Sequence, residues 1–175
     1  MVQPSGISKN ILRRMKYTSD QRGIMTRYLA EGDNWEEHLS RTREFIISSV
    51  RDSGTESVTI LGSGWLLDLP FEYLCENFRS VHLVDIVHPP QIVNKTKDLA
   101  NVQLVAADIT GGAIEGAYGL VREYKKTGLG SILDIPCQAT LGGAPAEYLV
   151  SLNILNQLDI LLVDYICRYM EVPED

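Results

Sequence analysis

The chain has 175 residues, 45% of them hydrophobic, and carries 16 Lys and Arg against 23 Asp and Glu for a formal charge of -7. That length fits one domain, the apolar content excludes a disordered chain, and the negative charge argues against nucleic acid as a partner. No run is long and uncharged enough to cross a bilayer and residues 1–11 hold no apolar leader, which points to a cytoplasmic protein with no membrane partner.

In chain order, residues 8–30 mix charge with Ile11, Leu12, Met15, Met25, Tyr28 and Leu29, which predicts one helix or two interrupted near Gly23. Glu31-Gly32-Asp33-Asn34 reads as a turn and cap, and Trp35, Leu39, Thr42, Phe45, Ile46 and Ser49 then follow at helical spacing. Val58-Thr59-Ile60-Leu61 is a β-branched run ending at Gly62-Ser63-Gly64, the pattern of a central strand entering a tight turn. Asp68 is placed to cap the next helix, with Pro70 in its first turn.

Val81-His82-Leu83-Val84 predicts a second strand with Asp85 at its carboxyl end, and Val102-Gln103-Leu104-Val105-Ala106 a third followed by Asp108. Asp85 lies 23 residues beyond Gly62 and Asp108 a further 23 along, a spacing that suits strand, crossover, strand repetition. Pro89-Pro90 leaves little room for a long crossover helix. A helix is expected over 113–126, an irregular strand over 131–135, a loop around Pro136, Gly142, Gly143 and Pro145, a fourth strand over 148–152, and an amphipathic helix carrying Leu158, Leu161, Leu162, Tyr165, Ile166 and Tyr169. The fold class this predicts is α/β, a Rossmann-like parallel sheet of order 3-2-1-4 preceded by N-terminal helices, with 1–54 packed on a sheet domain over 55–175. Cys75, Cys137 and Cys167 show no metal or disulfide spacing and are expected as reduced, mostly buried thiols.

Gly62 and Gly64 permit the backbone to turn tightly beside a nucleotide, although a plain strand-to-helix turn needs them equally. Asp85 could accept hydrogen bonds from a ribose diol or cap the turn near His88-Pro89. Asp108 could meet an adenine amino group or close an Asx turn before Gly111-Gly112.

These pieces, together with Val102 to Ile109 and Tyr148-Leu149-Val150-Ser151-Leu152-Asn153, resemble the class I S-adenosylmethionine-dependent methyltransferases, and within that superfamily an uncharacterised bacterial branch. The resemblance runs from about Val58 to Gln157. It implies S-adenosylmethionine as cofactor, bound by Gly62, Ser63, Gly64, Asp85, Ile86, Asp108, Ile109 and Asn153, with the methionine part near Gly62 and Gly64, ribose near Asp85 and adenine near Asp108 and Ile109. The sequence departs from the family at Ile60, where an acid is usual, and at Leu66, where a third glycine is usual. Family members continue through three more strands, so the resemblance implies an incomplete domain whose sheet edge is covered by self-association or by a partner, with little turnover by this chain alone.

Two other classes compete. An NAD-dependent oxidoreductase would place Leu67 at the third small position of its fingerprint and finds no Tyr-Lys or His-Asp constellation here. A noncatalytic binding or assembly module would keep the fold with a degenerate site. His38, His82 and His88 lack partners at metal-ligand spacing and read as structural or exposed, so no metal site is expected. Asn153, Asn156 and Gln157 read as rim or capping residues, and Trp35 as core or as a stacking platform. Methyl transfer works through in-line positioning, so no catalytic residue is identified, and the charge favours a small-molecule acceptor.

Overall fold

A computed structural model describes residues 6–51, 53–138, 147–154 and 157–171. Its four strands are β1 (Ser57–Leu61), β2 (Ser80–Asp85), β3 (Val102–Ala106) and β4 (Tyr148–Ser151). They form one all-parallel Rossmann-like sheet in the order β3-β2-β1-β4. Ile60 sits opposite both Leu83 of β2 and Val150 of β4. The two central strands are buried along nearly their whole length, which is why Val58-Thr59-Ile60-Leu61 reads as a continuous apolar run rather than as an alternation. The chain builds outward from β1 to β3 and then returns to β1's other side as β4, so the direction of winding reverses between β1 and β4. At such a reversal the loops leaving the carboxyl ends diverge and open a crevice.

Helix α1 (Lys9–Arg14) is capped by Ser8, whose Oγ accepts from the Ile11 amide at 3.4 Å. The helical region breaks at Lys16, which is left-handed at φ 69°, and not at Gly23, around which the helix runs unbroken. Helix α2 (Tyr17–Val50) then continues through the segment expected to be a turn. Glu31 alone leaves helical geometry (φ -131°, ψ 16°), so the Glu31-Gly32-Asp33-Asn34 signal marks a kink. No proline stops the helix there.

Helix α3 (Phe71–Asn77) starts one residue after Pro70 with no side-chain cap. Asp68 is not a cap: the N-cap position falls on Pro70, and the Asp68 carboxylate accepts instead from the Asn153 amide at 2.9 Å. Pro90 opens the short crossover helix α4 (Pro90–Thr96), a position where its missing N–H loses nothing. Helix α5 (Ala113–Thr127) ends on Gly128 in the left-handed conformation, and residues 131–135 form a 3-10 turn over Ile132–Asp134 instead of a strand, with Ser131 capping it. Helix α6 (Ile160–Tyr169) closes the described chain. The loop expected around Gly142, Gly143 and Pro145 and the rim candidate Asn156 lie outside the described residues.

One face of the sheet packs Val58, Ile60, Val81, Leu83 and Leu104 against α3, α4 and the end of α2, where Ile46 and Val50 enter the same core. Ile60 is fully buried there, so the position where the resembled family carries an acid is a core contact. The opposite face carries a smaller cluster of Leu61, Val84, Val105 and Ala107, and a third joins Met15 to α5 and α6. The cysteines are free, but Cys137 and Cys167 are exposed and Cys75 only half-buried, contrary to the expectation of buried thiols. Among the described residues no helix is long and apolar enough to cross a membrane.

Candidate functional site

At the carboxyl edge of the sheet a cavity of about 560 Å³ opens beneath α2. Gly62, Ser63, Gly64, Asp85, Ile86, Asp108, Ile109 and Asn153 all line it. The parallel register brings them together once the strands form, since each landmark lies at the carboxyl end of its own strand or within three residues beyond it.

Glycine at 62 is required by the protein itself. Its φ is 75°, and a Cβ there would stand 2.9 Å from the Leu152 carbonyl oxygen and 3.1 Å from the Ile154 side chain, where the chain leaves β4. Gly64 is also left-handed (φ 44°) but faces only ordinary contacts, the nearest being the Gly62 oxygen at 3.8 Å. The turn is held by β2. The Gly62 and Ser63 amides both donate to the Val84 carbonyl, at 2.9 and 3.3 Å, and the Gly64 amide donates to Asp85 Oδ2 at 2.8 Å. Leu66 closes the turn by donating to the Ser63 carbonyl at 2.9 Å. It keeps a left-handed φ of 60°, so the backbone bend of the family's third glycine is present while the side chain is driven into the core, 7% exposed.

Asp85 thus fastens the glycine turn and also accepts from the Val87 amide through Oδ1 at 3.3 Å. Burial raises its carboxyl above the usual carboxylate range, and the Gly64 amide and nearby His88 oppose the rise. His88 is buried, with Nε2 3.1 Å from the Val105 carbonyl, and burial pushes its pKa down. Asp108 is the centre of its own loop. Oδ1 accepts from the Thr110 amide (2.8 Å) and hydroxyl (2.6 Å), and Oδ2 from the Gly112 amide (3.2 Å), so the Asx turn is real. Asn153 lies in the left-handed region and its amide ties the rim to Asp68.

The roof is one stripe of α2, with Tyr17, Gln21, Ile24, Arg27, Trp35 and His38 among the residues that face the cavity. Gln21 fastens it to the floor twice: its carbonyl accepts from Trp65 Nε1 at 2.6 Å and its side-chain amide donates to the Val87 carbonyl at 2.5 Å. Further along, the Arg43 guanidinium clamps the Leu67 carbonyl through two nitrogens.

No protein-family model, no curated protein and no solved structure matches the chain. The chemistry of the cavity therefore rests on its own residues. Among the described residues four carboxylates line it, Asp20, Asp68, Asp85 and Asp108, against the single guanidinium of Arg27. Two hydroxyls, Ser63 Oγ and Tyr17 Oη, are buried with no partner among the described residues. Sequence reasoning missed the roof residues Tyr17, Gln21, Ile24 and Arg27, because the apolar pattern of residues 8–30 drew attention to Met25, Tyr28 and Leu29. Leu29 is 76% exposed. The usable signal was the spacing of 17, 21, 24 and 27 along one helix face. His82 is buried within β2, as a structural histidine would be, while His38 and Gln157 stand on the cavity's rim.

Proposed function

We propose that this chain is a cytoplasmic S-adenosylmethionine-binding protein of the class I methyltransferase kind, acting on a small-molecule acceptor. The observation that carries this reading is the hydrogen-bond state of the glycine turn. All three of its amides are engaged by β2, and α3 begins only at Phe71, so neither free N–H groups nor a helix N-terminus is presented where a dinucleotide's pyrophosphate would sit. The cavity offers acceptors instead. A cofactor that brings ribose hydroxyls, amines and a positive sulfonium suits four carboxylates, whereas a pyrophosphate is repelled by them.

Asp85 retains acceptor positions for a ribose diol, the Gly62–Gly64 turn would take the methionine part, and the Asp108–Ile109 end would take adenine. When bound, the cofactor supplies an electrophilic methyl group. The chain's own residues orient the two reactants and exclude water under α2, and the roof residues Trp35 and His38 would be left for an acceptor. On this reading the outer edge of β4, where Leu149 is 42% exposed, is the place for a second copy or partner strand.

Calorimetry with S-adenosylmethionine, S-adenosylhomocysteine and NAD tests the reading. The sulfur cofactors should bind more tightly than NAD, and Asp85→Asn should weaken them roughly ten- to a hundredfold through loss of a charge-assisted acceptor. Tighter binding of NAD would favour the oxidoreductase, and no binding of either sulfur cofactor at millimolar concentration would favour a noncatalytic module.

A further inference from the structure

Tyr17 opens the roof helix and Asp108 lies two residues beyond β3, and both line the cavity, where Tyr17 packs in one cluster with Ile86 and Ile114. Their hydrogen-bonding states are complementary. Asp108 has three donors on its two oxygens, all from its own loop, which leaves about one of a carboxylate's four acceptor positions open. The Tyr17 hydroxyl is buried, lies within reach of the Asp108 charge, and bonds to nothing among the described residues, Asp108 included. Burial first, and Asp108's charge second, hold that phenol in its protonated form, so it is a donor at any ordinary pH. A buried donor without a partner is an expense that a folded chain rarely carries unless a ligand relieves it.

A group that fits between these two residues presents a donor to the carboxylate and, beside it, an acceptor to the phenol. The 6-amino group of adenine, flanked by ring nitrogens N1 and N7, is such a group. We infer that Tyr17 is a base-specificity residue: its hydroxyl donates to a ring nitrogen flanking the amine of a 6-aminopurine while the amine takes the open position on Asp108. This rests on the nucleoside reading of the cavity and assigns a roof residue to it. Ser63 Oγ, the other unpartnered hydroxyl, belongs to the glycine turn and meets the ligand away from the base.

The test is calorimetry of wild-type protein, Tyr17→Phe and Ser63→Ala with S-adenosylhomocysteine and with its 1-deaza and 7-deaza counterparts, which replace N1 or N7 by carbon. Wild-type protein should lose about tenfold in affinity on one of the two deaza ligands. Tyr17→Phe should lose about tenfold on the parent ligand and nothing further on that deaza ligand, with a melting temperature at or above wild type because an unpartnered hydroxyl has been removed. Ser63→Ala should affect all three ligands alike. A merely structural Tyr17 would lower affinity for every ligand and leave the deaza penalty intact. If wild type binds the parent ligand but Tyr17→Phe binds it equally well, or keeps the deaza penalty, the role of Tyr17 is overturned while the cofactor reading survives. If wild type binds none of the three, both fall together.

Discussion

Replacing Gly62 by alanine separates a glycine needed by the fold from one needed only for its backbone angle. At φ 75° an L-residue costs about 1 to 2 kcal/mol in local sterics. The new Cβ would also stand 2.9 Å from the Leu152 carbonyl oxygen, which belongs to backbone and cannot swing aside as a side-chain tip could. Moving it strains the Leu152 amide's bond to the Leu61 carbonyl, 3.1 Å, which joins the exits of β4 and β1 and is worth about 0.5 to 1.5 kcal/mol. Gly62→Ala should therefore cost about 1.5 to 3.5 kcal/mol, or about 3 to 14 °C in melting temperature for a chain of this size. Gly64→Ala, with nothing nearer than 3.8 Å, should cost only the conformational part, about 1 to 2 kcal/mol. Urea unfolding of the two variants beside wild type measures the difference. Equal losses, or a Gly62→Ala protein within 0.5 kcal/mol or so of wild type, would refute the argument that β4's exit dictates glycine at this position.

Leu66→Gly should destabilise the chain by at least about 1 kcal/mol, because losing a buried leucine outweighs the 1 to 2 kcal/mol or so of left-handed strain it relieves; a variant as stable as wild type in the same urea assay would contradict this. His88 sets a pH dependence. Its folded pKa is held below the ordinary value of about 6.5, so its contribution is complete above that pH and is lost as pH falls through it, when the unfolded chain takes up the proton first. Stability should fall as pH drops below about 6.5, with a slope of up to about 1.4 kcal/mol per pH unit, and His88→Gln, which keeps a donor for the Val105 carbonyl, should lose that slope. An unchanged slope in the variant would place the dependence elsewhere.

The sheet was legible because its signals are local. Apolar runs at Val58–Leu61, Val81–Val84 and Val102–Ala106, each followed within two residues by a glycine or an acid, carry strand, direction and edge together. Asp85 and Asp108 were readable as landmarks for the same reason, and the Asx alternative at Asp108 proved to describe its loop. What escaped were choices made between distant residues. Asp68 looks like a cap until Asn153, 85 residues away, claims its carboxylate. Gly62 looks like a ligand glycine until Leu152 is placed against it. The roof was hidden because a cavity lining mixes Gln21, Arg27 and Asn34 with Ile24 and Trp35, so its face of α2 carries no clean amphipathic stripe. Glu31-Gly32-Asp33-Asn34 carries turn chemistry that here yields a single non-helical residue within a longer helix.

That kink falls between two fastenings. Before it, Gln21 is pinned to Trp65 and Val87; after it, Arg43 is pinned to Leu67. The roof is thus a two-leaf shutter with its joint at Glu31, and each leaf has its own latch. The leaf bearing Trp35 and His38 has a further hold, since Leu39, Ile46 and Val50 on the same stretch of helix are buried. The two halves of the roof therefore meet the floor independently, the first through Gln21 and the second through Arg43 and the core, so a change at one fastening leaves the contacts of the other in place.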